Sequence, residues 1–221
     1  MPRIARVVVK DYPYHVTQRG NYRQRVFDNE DDFLRYKLWL KVYSEQYGLK
    51  IGAYCLMTNH VHFVCVPLQA DSLARTFNTL HMRYSQYFHR KKKLKGHLWQ
   101  GRFFSCALDE RHLRAAIRYV ENNPVRAKIV DSPEKYIWSS TLGHMNRVTD
   151  PIVSIDYPIG VGAKDWLVFL GNEEDNEAIK DIRKHTFTGR PCGDEGFAAG
   201  IEGLLGRRVR AMKWGRPGKE K

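Results

Sequence analysis

The chain has 221 residues, 43% of them hydrophobic and 12% aromatic, enough apolar material for one real core with a smaller appendage. Its 37 Lys and Arg against 24 Asp and Glu leave a formal charge of +13, which favours a polyanionic partner such as DNA or RNA. No run approaches the ~18 consecutive apolar residues of a membrane span, and Met1 to Lys10 lacks an apolar signal-peptide core, so a membrane is set aside and a cytoplasmic protein is expected.

In chain order, Pro13 to Arg19 reads as a strand closed by Gly20-Asn21. Asp28 or Asn29 then caps a helix with Glu30, Asp31 and Asp32 in its first turn, a core stripe of Phe33, Leu34, Leu38, Leu40 and Tyr47, and a stop at Gly48. Lys50 to Met57 and His60 to Val66 are apolar runs joined by Thr58-Asn59, a link short enough only for a hairpin. Asp71 or Ser72 caps a second helix with Leu73, Phe77, Leu80, Tyr84 and Tyr87 or Phe88 on its apolar face, and this helix runs into a basic loop at Arg90 to Lys95. Leu98 to Leu108 reads as a fourth strand. Asp109 caps a third helix, with Leu113, Ala116, Ile117 and Val120 facing the core, that reaches Asn123 and is ended by Pro124. The order β-α-β-β-α-β and then helix predicts an α+β fold, a ferredoxin-like antiparallel sheet with helices on one face and one extra helix. Residues 1–145 are expected to form that domain and 146–221 a C-terminal extension. Within the extension, the acidic segment from Glu173 to Glu177 before a basic end suggests a helical appendage that masks a nucleic-acid groove.

Chemistry concentrates at three places. On a strand, His60 and His62 project from one face, with Val61 and Val64 expected on the other, and so form a rigid pair of imidazoles suited either to a divalent metal or to plain packing in a half-buried sheet. On the third helix, Tyr119 and Asn123 fall one turn apart on the flank. Such a tyrosine is ordinarily a packing residue, but beside the histidine strand an Asn123 carbonyl oxygen could complete a hard site for Mg²⁺ or Mn²⁺. Third, Ser72 to Leu108 holds no Asp or Glu yet carries Arg75, Arg83, Arg90, Lys91, Lys92, Lys93, Lys95 and Arg102 among aromatics, the make-up of a single-strand or hairpin binding groove. A second basic cluster, with Arg207, Arg208 and Arg210, opens the tail from Gly206 to Lys221. Cys55, Cys65, Cys106 and Cys192 form no CxxC pair and are assigned no chemistry.

Four motifs, His15-Val-Thr-Gln-Arg-Gly-Asn21, Thr58-Asn-His-Val-His-Phe63, Trp99-Gln-Gly-Arg-Phe103 and Tyr119-Val-Glu-Asn-Asn-Pro-Val-Arg-Ala127, together resemble the single-tyrosine transposases of the HUH nuclease superfamily. The likeness is greatest to the REP-associated type, relatives of the IS200/IS605 transposases, and covers residues 10 to about 145, with a weaker match from Thr188 to Pro217. It implies the fold read above and a substrate of single-stranded DNA folded into short imperfect hairpins, the repetitive extragenic palindromes. It implies His60 and His62 as metal ligands and Tyr119 as the nucleophile. Asn123 stands where relatives place a third ligand, often glutamine, and Arg19 and Arg102 are implied DNA contacts.

Tyrosine is ordinarily protonated at neutral pH, with a pKa of about 10, so a metal would have to polarise the scissile phosphate. Attack would leave a 5′-phosphotyrosine and a free 3′-OH, one phosphodiester exchanged for another, and no GxxxxGK[ST] nucleotide loop is present to drive anything costlier. The rival reading is a non-catalytic hairpin-binding module of the same fold, indifferent to metal and to Tyr119. The sequence leaves the oligomeric state, monomer or dimer, open.

Overall fold

The computed structural model describes residues 6–154, 159–173 and 175–210. Its central elements are β1 (Tyr14–Arg19), α1 (Glu30–Gln46), β2 (Leu49–Met57), β3 (His60–Pro67), α2 (Ser72–Lys92) and β4 (Phe104–Ala107). The four strands make one sheet in the order β2-β3-β1-β4 with every neighbour antiparallel, so the fold is α+β with a ferredoxin-like sheet. Among the described residues six α-helices follow: α3 (Glu110–Glu121), α4 (Asn123–Arg126), α5 (Thr141–His144), α6 (Trp166–Gly171), α7 (Asn176–Thr188) and α8 (Glu195–Leu205). Among those residues no helix is long and apolar enough to cross a membrane.

Local chemistry sets the ends of the elements. Asn29 Oδ1 accepts the Asp32 N–H at 3.2 Å while Asp32 Oδ2 accepts the Asn29 N–H at 3.4 Å, a reciprocal box that starts α1. Gly48, at φ +63°, follows its last turn. The buried stripe of α1 is Phe33, Tyr36, Leu40 and Ser44. Leu34 and Leu38, expected on it, are 56% and 53% exposed, because steps of three and four from Phe33 lead to Tyr36 and Leu40 and leave 34 and 38 a further 100° around. Helix α2 buries Leu73, Phe77, Leu80, Tyr84 and Phe88 as expected, but continues to Lys92, so Arg90, Lys91 and Lys92 form its last turn rather than a loop. Strand β4 covers only Phe104–Ala107, because β1, its sole partner, pairs with it from Tyr14 to Thr17. Residues 98–103 instead run past the end of β1, held by Asn21 N–H to Leu98 O at 2.8 Å and Gln100 N–H to Arg19 O at 3.0 Å. Pro124 does not end α3; α3 closes at Asn122, and Pro124 sits in the first turn of α4, where a missing N–H costs nothing.

Both faces of the sheet are covered. Tyr14, Val16, Val61, Phe63 and Cys65 pack under α1 and α2. On the other side Cys55, Met57, Val64 and Cys106 meet Leu113, Ala116, Ile117 and Val120 of α3. Val64 therefore lies on the histidine face and not with Val61, since 60, 62 and 64 share one parity of the pleat. The same core takes in Trp166, Phe169 and Leu170 of α6, Ile179 and Ile182 of α7, and Cys192. Residues before and after position 145 thus share a single hydrophobic core.

Candidate active site

The pairing of β1 with β3 sets Thr17 opposite His62 and Arg19 opposite His60, so His15, Thr17 and Arg19 point to the same side as the two histidines. His62 Nδ1 lies 3.0 Å from His15 Nε2, and His15 Nδ1 lies 2.7 Å from Thr186 Oγ1 of α7. This relay holds the His62 ring from behind, and the two imidazoles stack at 5.2 Å. His60 is held at Nδ1 by Asn59 Oδ1 at 2.6 Å, and it also hydrogen-bonds the Asn123 side chain. Burial, and after it the positive charge of Arg19, pushes the His60 pKa down to about 4 against the opposing Asn123 bond. Burial likewise holds His62 well below its usual value, aided by His60, His15, Arg19 and Arg183. Both rings are neutral at pH 7, the state in which imidazole offers a lone pair to a metal. Among the described residues no three His, Cys, Asp or Glu side chains gather in metal-holding geometry. His60, His62 and the amide of Asn123 are the set that could hold a divalent ion, and neutral nitrogen with amide oxygen suits one.

Tyr119 reaches this site from α3. It is 7% exposed, and its ring stands edge-on to His62 at 5.4 Å and to His15 at 5.8 Å. The amphipathic helix fixes this placement: Leu113, Ala116, Ile117 and Val120 bury its core face, which leaves Tyr119 to look along the histidine face. Asn123, one turn on and 8% exposed, opens α4 beside it. Two guanidinium groups flank the phenol, Arg126 at 4.9 Å and Arg183 at 5.3 Å from the ring centre, and Arg183 Nε donates to Tyr119 Oη at 3.5 Å. Tyr119 and Arg183 border a cleft of about 420 Å³ that is also lined by His15, Arg19, His62 and Phe187.

Of the expected site residues, the fold brings together His60, His62, Tyr119, Asn123 and Arg19. Arg102 lines an adjoining depression with Phe104 and Phe187. Arg83, Arg90 and Lys93 are exposed on or just after α2, on the far side of the sheet. Lys91 and Lys92, expected to meet DNA, are engaged by acids of α1 and its approach: Lys91 Nζ is 2.6 Å from Asp32 Oδ1 and Lys92 Nζ 2.6 Å from Asp28 Oδ2. Arg210 pairs with Glu202 at 2.6 Å, Arg207 donates to the Arg6 carbonyl at 2.8 Å, and Arg208 is exposed. The rest of the basic tail, including Gly215 to Pro217, lies outside the described residues. The extension does not simply mask the groove, since α7 builds one of its walls. His15, Arg126, Arg183 and Thr186 were not singled out by sequence. His15 carried a usable signal, as it shares strand parity with Thr17 and Arg19, whereas no motif marks the two α7 residues.

The model of the IS200-like transposase family matches residues 8–123. A solved REP-associated tyrosine transposase bound to a REP hairpin is 20% identical, with 71% of this chain and 93% of that chain covered at a TM-score of 0.54, a likeness that establishes the shared fold. A Deinococcus radiodurans protein described as a transposase is 22% identical over 62% of this chain and 95% of that one, with a TM-score of 0.38. No curated protein matches the chain.

Proposed function

The chain belongs to the IS200-like transposase family, and from that membership we infer that it cuts and rejoins single-stranded DNA at REP-type hairpins through a covalent 5′-phosphotyrosine on Tyr119. The observation that supports this reading is the edge contact of the Tyr119 ring with His62 at 5.4 Å, a phenol beside the strand that carries the histidine pair. The hairpin substrate is suggested by the fold neighbour solved on a REP hairpin.

In this scheme Tyr119 Oη attacks the scissile phosphorus. The P–Oη bond forms, the bond to the 3′ oxygen breaks, the phenolic proton passes to solvent and the departing 3′ oxygen is protonated. A divalent ion such as Mg²⁺ or Mn²⁺, held by His60, His62 and Asn123, would supply the positive charge that polarises the phosphate. The remaining work falls to the protein. His15 and Thr186 keep His62 in one orientation, and Arg19 lines the cleft with a guanidinium whose paired N–H donors suit phosphate oxygens. Because one phosphodiester replaces another, a second 3′-OH can reverse the step without a nucleotide cofactor. The strand must be unpaired, since a nucleophile borne on a helix at the back of a cleft cannot approach a phosphate inside a stacked duplex.

Tyr119→Phe removes only the hydroxyl and should fold as wild type. With a 3′-labelled hairpin oligonucleotide and Mn²⁺, the wild-type protein is expected to yield a labelled covalent adduct on a denaturing gel and the variant none, with hairpin binding retained by both. Cleavage by Tyr119→Phe at the wild-type rate would end the tyrosine reading. Absence of cleavage by the wild type, with tight binding, would favour the non-catalytic module.

A further inference from the structure

Helix α7 brings to the cleft a surface that neither the metal ligands nor the nucleophile requires. Phe187 is 70% exposed, although its ring is already stacked on Phe104 of β4 with centroids 5.4 Å apart at an angle of 15°. Most of a large apolar ring, backed on one side by the ring of Phe104, is left facing water. Phe104, Thr186 and Phe187 line both the cleft that holds Tyr119 and the adjoining depression at Arg6 and Arg102, so the aromatic pair stands on the ridge between them. One helical turn before Phe187, and so on the same side of α7, lies Arg183, exposed and without a carboxylate partner among the described residues, its Nε 3.5 Å from Tyr119 Oη. An aromatic platform and a guanidinium one helical turn apart, about 5.4 Å along the axis, offer one partner to a base and one to a phosphate of the same strand. The cationic setting of Arg19, Arg126 and Arg183 excludes an apolar peptide as the natural occupant and favours a polyanionic strand.

We propose that α7 is a nucleotide clamp on the strand being cut: Phe187, backed by Phe104, stacks on an unpaired base beside the scissile phosphate, and Arg183 holds that phosphate against Tyr119. The clamp rests on the strand-transfer reading above and extends it to residues beyond the family match, which ends at 123. Every base has a π face, so the platform accepts any sequence at this position, and what it selects is an unstacked, single-stranded nucleotide. The guanidinium presents paired donors to non-bridging oxygens, a geometry lysine cannot reproduce.

The test uses the full chain and a fluorescein-labelled hairpin oligonucleotide with single-stranded flanks, into which an abasic site is walked one position at a time. Phe187→Ala should weaken binding of the intact strand about tenfold, the size of one base–aromatic stack, while Phe187→Trp should bind as wild type. At one flanking position the abasic strand should bind both Phe187→Ala and wild type equally. Arg183→Ala should leave binding nearly unchanged, slow cleavage about 100-fold as expected for a lost charge-stabilising donor, and recover part of its rate in added guanidinium; Arg183→Lys should stay slow. Wild-type binding by Phe187→Ala, or an equal loss on intact and all abasic strands, overturns the base contact. Wild-type cleavage by Arg183→Ala overturns the phosphate contact. A wild-type protein that forms no adduct but shows the position-specific Phe187 loss supports the base contact and sinks the strand-transfer reading, so the two failures are told apart.

Discussion

At the scale of single residues, His15 is the side chain whose role the site makes most specific. Its ring stands edge-on to that of Tyr119 at 5.8 Å, its Nε2 holds His62 Nδ1 at 3.0 Å and its Nδ1 meets Thr186 Oγ1 at 2.7 Å. Partners of this kind fix ring orientation and raise ligand basicity, and their loss weakens metal binding by about 10–100-fold. His15→Ala should therefore weaken Mn²⁺ binding, measured by titration calorimetry, and slow hairpin cleavage by a similar factor with hairpin affinity unchanged. Thr186→Val, which keeps shape and removes the hydroxyl, should show a smaller defect of the same kind. An unaltered Mn²⁺ affinity in both variants would make the relay a packing feature only.

At the scale of elements, the C-terminal turn of α2 is tied to the start of α1 by charges that composition alone would assign to DNA. Asp32 is fully buried and accepts from Lys91 Nζ at 2.6 Å, Tyr87 Oη at 2.9 Å and the Asp28 N–H at 2.9 Å. Burial raises its pKa, but these bonds outweigh burial and hold the carboxyl below the usual carboxylate range. A depressed native pKa means that the unfolded chain takes up the proton first, so the stabilisation is complete above the ordinary Asp value of about 3.9 and fades as pH falls through the native one. Asp32→Asn should cost about 1–3 kcal/mol at pH 7, as a charged hydrogen-bond acceptor and half of a capping box are lost. The gap in Tm between wild type and variant should shrink as pH drops below about 4, and a gap independent of pH would show that the carboxylate charge contributes nothing. Lys91 and Lys92, engaged in this way, should also matter less to hairpin affinity than Arg19.

At the scale of the whole molecule, one core spans the expected boundary at 145. Trp166, Phe169, Leu170, Ile179 and Ile182 fill the same cluster as Leu113, Ile117 and Val120 of α3, and Glu121 at the end of α3 accepts hydrogen bonds from His144 Nδ1 at 2.7 Å and Trp166 Nε1 at 2.7 Å. A chain cut after residue 145 would bare this apolar face and leave Glu121 buried without the indole. It should show no cooperative thermal transition and should bind hydrophobic dyes strongly, in contrast to the full chain. A sharp melt of residues 1–145 near that of the full protein would make the extension a separable domain.

Much of the framework was legible in the chain itself. The alternation of His60-Val-His62 between apolar neighbours, the capping acids before α1 and α3, the Thr58-Asn59 link and the apolar spacing of α2 are local rules that act over a few residues, and each led to the right element in the right order. The same locality explains the errors. Leu34 and Leu38 are apolar without being buried, and β4 is shorter than its apolar run because how far β1 runs alongside it sets its length, whereas the side on which Val64 falls is fixed locally by the same period of two that aligns His60 with His62. Charge was legible in amount but not in use, since nothing near Lys91 in the chain reveals that Asp32 awaits it 59 residues away. The histidine pair, Tyr119 and Asn123 came from their motifs. The wall that Arg183, Thr186 and Phe187 add belongs to tertiary structure alone, because it arises where α7 crosses β4 and α3, and contacts between segments that distant depend on how whole layers pack rather than on any spacing in the chain.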